Sequence, residues 1–199
     1  DPLPKVWDEN TRIGDMLKGK RGLVVGVANA DSIAFGCAAK LQAFGAEVAL
    51  TYLNDKAKRF VEPLAEQLKC DLLLPLDVTQ PGQMQAVFEK IQEKWGKIDF
   101  VIHSIAFATK DDLHGRIIDC SRDGFMQAMA TSCHSFLEMA HYAEPMMNPG
   151  GCMIAMSYYG AEKVVNNYNM MGPVKAALES SVRYMAAEMG SKDIRVFAV

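Results

Sequence analysis

The sequence predicts a doubly wound parallel α/β domain with three layers: helices, sheet and helices. Short apolar runs alternate with amphipathic segments of helical length from residue 21 to the end of the chain, and such alternation builds a parallel sheet covered on both faces. Half of the 199 residues are hydrophobic and 23% are charged, which is enough apolar material for one packed core. We expect an arm over residues 1–20, where Pro2 and Pro4 oppose regular structure, and one domain over 21–199.

The strands are predicted from short runs rich in valine, leucine and isoleucine, as expected for strands that are buried on both faces. Pro75 in the third run is a mild objection to a central position, because proline cannot donate to the ladder. The predicted strands lie over 22–27, 47–52, 72–76, 98–103, 151–157 and 194–199.

Helices are predicted between these strands, where apolar residues recur with helical period. Ser32 and Asp55 can cap the first two helices, and Pro81 fits the first turn of the third. A turn that contains Asn148, Pro149 and two glycines should precede the fifth strand. The predicted helices lie over 33–44, 55–69, 81–95, 122–147 and 171–189.

Composition argues against several classes of protein. The net charge is −3, whereas a general nucleic-acid binder is usually basic. No stretch approaches 18 uninterrupted apolar residues, and the first 20 residues lack the apolar run of a signal peptide. Five cysteines without C-x-x-C spacing favour reduced thiols in a cytoplasmic protein. We predict no metal site, because the histidines contain no H-x-x-x-H pair, and for His134 and His141 an ordinary helix surface is the preferred interpretation.

The turn after the first strand has properties of a nucleotide-binding turn. Gly26, Ala28 and Ala30 are small enough for the backbone to approach a pyrophosphate, and Ser32 and the amide of Ile33 provide donors at a helix start. This architecture binds ligands at such carboxyl ends of strands. The strict G-x-G-x-x-G pattern is absent, so a plain tight connection stays open as the alternative.

Residues after the second and third strands are candidates for the adenosine side. Asp55 is near the offset at which an acid binds the ribose, although it can also cap a helix, and Lys56 and Arg59 would instead favour a 2′-phosphate. Asp77 and Val78 offer a side chain and an amide to an adenine, unless Asp77 only forms a turn. These residues alone leave the choice between NADH and NADPH open.

The densest polar and aromatic cluster follows the fifth strand. Tyr168 and Lys175 are seven residues apart, about two helical turns, and can share a face if Pro173 lies in the first turn. A nearby ammonium would lower the pKa of the tyrosine, so the pair suits donation of a hydrogen bond or proton to an oxyanion. Simple packing of the tyrosine and a solvated lysine are the alternatives. Neither a G-x-S-x-G nor a Walker pattern occurs, which disfavours a hydrolase and a P-loop NTPase.

Four segments, in order along the chain, resemble the bacterial NADH-dependent enoyl-acyl-carrier-protein reductases. These enzymes belong to the divergent branch of the short-chain dehydrogenase/reductases, which have a Rossmann-like fold. The segments are 26–36, 103–108, 157–162 and 168–175, and the last fits the signature Y-x-x-M-x-x-x-K of that branch. The resemblance covers about residues 18–199. It implies reduction of the trans-2 double bond of enoyl thioesters on acyl carrier protein, with NADH rather than NADPH, as the last step of the fatty acid elongation cycle.

The resemblance also implies roles for single residues. Tyr168 would donate a hydrogen bond to the enolate oxygen, Lys175 would bind the nicotinamide ribose, and Tyr158 would line the acyl pocket or assist proton delivery. The remaining cofactor positions of the family fall on Gly26, Ser32, Ile33, Leu53, Asp77, Val78, Ser104 and Ile105, and a substrate-side position falls on Ala108. We expect a cytoplasmic homotetramer that packs through the helices before and after the fifth strand.

The chain departs from the family at its end. Family members continue past the sixth strand with a cofactor loop, a mobile substrate lid and a seventh strand, whereas this sequence stops at Val199. We expect the sequence to be C-terminally incomplete, because an apolar strand is unfavourable at the edge of a sheet. Two alternative functions stay open. One is a short-chain carbonyl reductase or alcohol dehydrogenase, which Tyr158 in place of a serine argues against, and the other is a non-catalytic dinucleotide-binding protein.

Overall fold

Six parallel strands form one sheet in the computed structural model, which describes residues 14–199. Their order is β3-β2-β1-β4-β5-β6, and every neighbouring pair is parallel. The chain winds outward in both directions from β1 and β4, so a crevice opens between the carboxyl ends of these two strands. The strands are β1 (Arg21–Val25), β2 (Glu47–Tyr52), β3 (Leu73–Pro75), β4 (Ile98–His103), β5 (Met147–Ala155) and β6 (Arg195–Ala198).

Seven α-helices connect the strands within residues 14–199. The predicted helix over 122–147 is divided: a π turn (Ala130–His134) separates α5 from α6, and a 3-10 turn (Glu144–Met146) follows. The sequence did not predict α4, because five residues are too few to show a helical period. The helices are α1 (Ile33–Ala43), α2 (Asp55–Gln67), α3 (Gln83–Trp95), α4 (Lys110–His114), α5 (Arg122–Met129), α6 (Ser135–Ala143) and α7 (Met171–Met189).

Two apolar cores lie on opposite faces of the sheet, because successive side chains of a strand point to opposite sides. The larger core packs α3, α6 and α7 on the sheet, with Phe136, Met153 and Leu178 among its fully buried side chains. The smaller core packs α1 and α2 on the other face. The inner strands β1, β2 and β4 are therefore buried on both faces, as their continuous apolar runs predicted, whereas the edge strands β3 and β6 are partly exposed. The doubly wound α/β class with three layers is confirmed.

Two helix starts differ from the prediction. Asn54, and not Asp55, caps α2, since Asn54 Oδ1 accepts a hydrogen bond from the Ala57 amide at 2.9 Å. Asp55 is instead the first helical residue, where a carboxylate complements the helix dipole. Pro81 lies outside α3, which begins at Gln83 after a glycine with positive φ.

The predicted turn over 148–151 lies inside β5 and not before it. Ile98 of β4 pairs with Met147, whereas Phe100 pairs with Cys152, so β5 bulges out of the ladder between these pairs. Only residues 14–20 of the predicted arm are described. There Leu17 packs on the smaller core, and its amide donates to the carbonyl of residue 44 at 2.9 Å. The rest of the arm lies outside the described residues, and the boundary at residue 20 stays a prediction.

Candidate functional site

The cofactor residues that the sequence predicts lie along the carboxyl edge of the sheet. The strand order places the residues after β3, β2, β1, β4 and β5 in one row. Neighbouring strands are about 4.8 Å apart, so five strand ends span about 19 Å. In spatial order the row contains Asp77 and Val78, Leu53, Gly26, Ser104 and Ile105, and Tyr158. Such a row across the switch point suits an elongated ligand.

Gly26 brings the ends of β1 and β4 together. Its φ is +117°, and a Cβ at this position would lie 2.0 Å from the carbonyl oxygen of Ser104. The Ser104 amide donates to the carbonyl of Val25 at 2.9 Å, which continues the pairing past the two strands. Only glycine combines this φ with so close a backbone approach. The structure thus gives Gly26 a packing role in addition to the nucleotide role that the sequence predicted.

The start of α1 offers donors to an anion. Ser32 is the cap residue, but its hydroxyl donates to the carbonyl of Asn29 at 2.6 Å instead of accepting from a helical amide, so the predicted capping bond is absent. The amides of Ile33 and Ala34 open the helix, where no preceding turn supplies carbonyl acceptors. They lie at the positive end of the helix dipole, and Ala28 beside them is small and exposed. This arrangement fits a dinucleotide pyrophosphate.

The residues predicted for the adenosine side differ in their accessibility. Leu53 is exposed, and Val78 is half-buried against the larger core. Asp77 forms the turn that was the alternative interpretation, because its Oδ1 accepts from the amide of Thr79 at 2.9 Å and from its hydroxyl at 2.6 Å. The Asp77 amide also has a partner, because it donates a hydrogen bond to Gln83 Oε1 at 2.7 Å. A contact from Asp77 to an adenine would therefore use its other carboxylate oxygen.

Tyr168 packs against Tyr158, at the end of the row that follows β5. It lies in the turn that leads into α7 and not on the helix itself. Its ring lies 4.6 Å from that of Tyr158, centroid to centroid, at an interplanar angle of 51°. On another side it packs on Gly160, where a Cβ would come within 2.5 Å of the Tyr168 ring. An adjoining cavity of about 600 Å³ is lined by residues that include Ile117, Val164 and Pro173.

Lys175 is buried in the second turn of α7 and tethered to the end of β5. Its exposed fraction is 6%, and Nζ donates to the carbonyl of Met156 at 2.6 Å. Pro173 is the third residue of α7, so it lies in the first turn, as the prediction required. Burial lowers the pKa of Lys175.

The prediction that Lys175 lowers the pKa of Tyr168 is wrong for this structure. Burial, and then the neighbouring Tyr158, raise the pKa of Tyr168 to about 12. A phenol in apolar surroundings resists ionisation, and the Lys175 ammonium is directed at a backbone carbonyl. Tyr168 is therefore a neutral phenol at physiological pH.

The π turn between α5 and α6 holds the segment after β4, which the sequence did not reveal. Ser132 Oγ accepts from the Phe107 amide at 2.9 Å and donates to its carbonyl at 3.3 Å. Ser135 Oγ donates to the carbonyl of Thr131 and accepts from His103 Nε2, both at 2.7 Å. These bonds fix His103 and Phe107, which flank the predicted residues Ser104 and Ile105, and Ala108 follows directly. The only sequence signal was a run of small polar residues inside an otherwise apolar helix.

The described residues contain neither a metal cluster nor a membrane-spanning helix. Within 14–199, no three His, Cys, Asp or Glu side chains lie close enough together to hold a metal ion. His134 is exposed, and His141 packs edge-on against Tyr142 at 5.0 Å between ring centroids. No helix in this part of the chain is long and apolar enough to cross a membrane.

Comparison with known proteins gives one consistent result. Residues 26–199 match the family model described as enoyl-(acyl carrier protein) reductase. Enoyl-[acyl-carrier-protein] reductase [NADH] 1 of Rhizobium meliloti (strain 1021) is 50% identical over 184 residues, which are 92% of this chain and 68% of that protein. The FabI enoyl-[acyl-carrier-protein] reductase [NADH] of Rickettsia bellii (strain RML369-C) is 46% identical over 184 residues, which are 92% of this chain and 70% of that protein.

A solved structure gives the same result in three dimensions. It is the enoyl-(acyl-carrier-protein) reductase from Anaplasma phagocytophilum in complex with NAD, which superposes with a TM-score of 0.91 at 48% identity. The match covers 94% of this chain and 72% of that chain. The resemblance carried by the four sequence segments is confirmed, and the chain belongs to the enoyl-(acyl carrier protein) reductase family.

Proposed function

We propose that Tyr168, Tyr158 and Lys175 are the groups with which this chain reduces enoyl thioesters. As a member of its family, the chain is an NADH-dependent oxidoreductase that reduces the trans-2 double bond of enoyl-acyl-carrier-protein, the last step of fatty acid elongation. The observations that carry the assignment of residues are the packed tyrosine pair and the buried Lys175, whose ammonium is tethered to the backbone two residues before Tyr158. These groups follow β5, at the end of the row that fits a dinucleotide.

Tyr168 acts as a neutral hydrogen-bond donor. NADH, when bound, supplies the hydride that adds to C3 of the enoyl thioester. Negative charge then develops on the thioester oxygen, and Tyr168 donates to that oxygen. A pKa of about 12 keeps the hydroxyl protonated, and the contacts with Tyr158 and Gly160 hold its ring in place. A donor that is oriented in advance stabilises an oxyanion without reorganisation. Tyr158 lines the acyl side or assists proton delivery.

Lys175 orients the cofactor. An ammonium has three donors, and Lys175 uses one on the Met156 carbonyl, so two remain for the nicotinamide ribose hydroxyls. The assignments for the other residues follow their places in the row. Gly26, Ser32 and Ile33 would hold the pyrophosphate, Leu53, Asp77 and Val78 the adenosine, Ser104 and Ile105 the nicotinamide, and Ala108 the acyl substrate.

A substrate panel tests the reaction class. The protein is incubated with NADH and either crotonyl thioester or a set of ketones, and consumption of NADH is followed by its absorbance. We expect turnover with the enoyl thioester and none with the ketones. Turnover of ketones alone would support the short-chain carbonyl reductase, and calorimetric binding of NADH without any turnover would support a non-catalytic dinucleotide-binding protein. NADPH in place of NADH should give much slower turnover.

We also propose that the protein is a cytoplasmic homotetramer that packs through α5, α6 and α7. Phe125, Met126 and Leu137 on α5 and α6, and Tyr184 on α7, are large apolar or aromatic side chains that are exposed in the single chain. Neighbouring exposed side chains of this kind mark interfaces. Sedimentation analysis should give four chains per particle, and Met126→Glu should dissociate it. A monomeric wild-type protein would contradict this assembly.

A further inference from the structure

The turn that carries Tyr168 is fastened to a helix far away in sequence. Asn169 follows Tyr168 directly, and its Nδ2 donates to the carbonyl oxygens of Asp112 at 2.6 Å and of Gly115 at 2.8 Å. These carbonyls lie at the end of α4, where a helix leaves carbonyl groups without intrahelical donors. One side-chain amide therefore completes the end of α4 and ties it to the Tyr168 turn.

The orientation of Asn169 is determined by its partners. Both are carbonyl oxygens, which only accept hydrogen bonds, so the amide nitrogen must face them. The amide oxygen is buried and has no hydrogen-bond partner among the described residues. The backbone of Asn169 has φ +46°, a conformation that asparagine tolerates better than most residues. The position thus requires both the side-chain donors and the backbone tolerance of asparagine.

The helix to which Asn169 is tied is itself held by the side chain of Asp112. Its carboxylate accepts from Thr109 Oγ1 at 2.5 Å, from the Ser121 amide at 2.7 Å and from Ser121 Oγ at 2.9 Å. We call Thr109, Asp112 and Ser121 the Asp112 hub. Hydrogen bonds from Thr109 and Ser121 hold the pKa of the Asp112 carboxyl below its usual range. Gly124 leaves room for this hub, since a Cβ there would lie 1.7 Å from Asp112 Oδ2.

We propose that Asn169 is a positioning residue for the Tyr168 hydroxyl, with the Asp112 hub as its anchor. This inference rests on the proposed function, in which that hydroxyl is the donor. The hub begins at Thr109, directly after Ala108 on the substrate side, and Asn169 directly follows Tyr168. The link therefore joins the two chain segments that enclose the reacting centre. Tyr158 and Gly160 restrain the ring of Tyr168, whereas Asn169 fixes its main chain.

A matched pair of substitutions on either side of Tyr168 tests the proposal. Asn169→Asp keeps the side-chain volume, removes both donors and places a carboxylate against two carbonyl oxygens. Asn167→Asp makes the same change at an exposed residue of the same turn, which also has positive φ, at +63°. We expect Asn169→Asp to lower kcat for crotonyl thioester by about 10- to 100-fold, with KM for NADH within about twofold. Asn167→Asp should behave like the wild type.

Three further measurements distinguish positioning from a general loss of structure. The kcat of Asn169→Asp should recover in part as the pH falls, because a protonated carboxyl regains one donor. Hydrogen exchange of residues 109–117, measured without cofactor, should quicken in Asn169→Asp and in Asn169→Gly but not in Asn167→Asp. If the aspartate variant does not fold, Asn169→Gly tests the loss of the side-chain link instead, since glycine accepts positive φ and adds no charge. In a Tyr168→Phe background, Asn169→Asp should lower kcat by no more than about twofold, because the hydroxyl that it positions is already absent.

The possible outcomes separate this inference from the proposed function. If Tyr168→Phe is impaired while both Asn169 variants keep the kcat of Asn167→Asp, the positioning role is wrong and the proposed function stands. The positioning role would also be refuted if Asn169→Asp lowered kcat as much in the Tyr168→Phe background as in the wild type. If Tyr168→Phe itself keeps the wild-type kcat, the proposed function fails.

Discussion

Acid should destabilise the folded protein through one buried histidine at the end of β4. His103 is fully buried, its Nε2 donates to Ser135 Oγ at 2.7 Å, and its Nδ1 has no partner among the described residues. Burial, and then the Lys175 ammonium, lower the pKa of His103 from 6.5 to about 3. Between these two pH values the unfolded chain binds a proton that the folded chain excludes. The free energy of unfolding therefore falls as the pH falls through this window.

The size of the effect follows from the width of the window. Each pH unit below 6.5 removes about 1.4 kcal/mol from the free energy of unfolding. Lowering the pH from about 7 to about 4.5 should therefore cost about 3 kcal/mol through this one residue. His103→Gln removes the titration and retains a donor for Ser135. The exposed His134 supplies the control His134→Gln.

Urea unfolding of the three proteins, followed by tryptophan fluorescence at one protein concentration, measures this cost. Between about pH 7 and about pH 4.5, the free energy of unfolding should fall by about 3 kcal/mol more in the wild type and in His134→Gln than in His103→Gln. Residues that titrate in all three proteins cancel in the comparison. Equal losses in all three proteins would show that His103 is protonated in the folded state, and the reasoning would be refuted.

Two further predictions concern the carboxyl edge of the sheet. Gly26→Ala should lower the free energy of unfolding by at least about 2 kcal/mol, because a Cβ would meet the Ser104 carbonyl at 2.0 Å. The control is Gly36→Ala in α1, where a Cβ would meet open space, and it should change the free energy of unfolding by less than about 1 kcal/mol. Equal thermal unfolding of the two variants would contradict the close approach of Gly26 to the Ser104 carbonyl. Ser132→Ala should quicken hydrogen exchange of residues 103–109 and weaken NADH binding by about 5-fold, because the Phe107 backbone loses its partner. The exposed Ser191 supplies the control Ser191→Ala, and unchanged exchange in Ser132→Ala would contradict the holding role.

The strands and their layering were predictable because burial leaves a direct record in the sequence. Strands covered on both faces need continuous apolar runs, such as that of β1, and these runs are visible without any tertiary information. The bulge in β5, the π turn and α4 left no such record. Each is a local departure from a regular period and depends on contacts with distant segments, as Gly150 shows by donating from its amide to the carbonyl of Asp193 at 2.7 Å.

The grouping of the candidate site residues at one edge of the sheet was predictable, but their electrostatics were not. Strand ends in this architecture converge on one edge, so the candidates after β1 to β5 could be placed there from their order alone. The spacing of Tyr168 and Lys175 predicted a shared helix face and a lowered tyrosine pKa. The structure places Tyr168 before the helix and half-buries it against Tyr158, and this burial and the neighbouring Tyr158 raise that pKa to about 12. Burial depends on tertiary packing, and residue spacing does not report it. Asn169 was missed for the same reason, because its partners are 54 and 57 residues away.

The most direct test of the central claim compares two tyrosines that lie nine residues apart. Tyr168→Phe removes the proposed donor, and Tyr159→Phe removes an exposed hydroxyl outside the proposed site. With NADH and crotonyl thioester, we expect Tyr168→Phe to lower kcat by about 100-fold or more, while Tyr159→Phe keeps the wild-type value. Lys175→Ala should mainly raise KM for NADH. Wild-type kcat in Tyr168→Phe would contradict the assignment of this hydroxyl as the donor to the developing oxyanion.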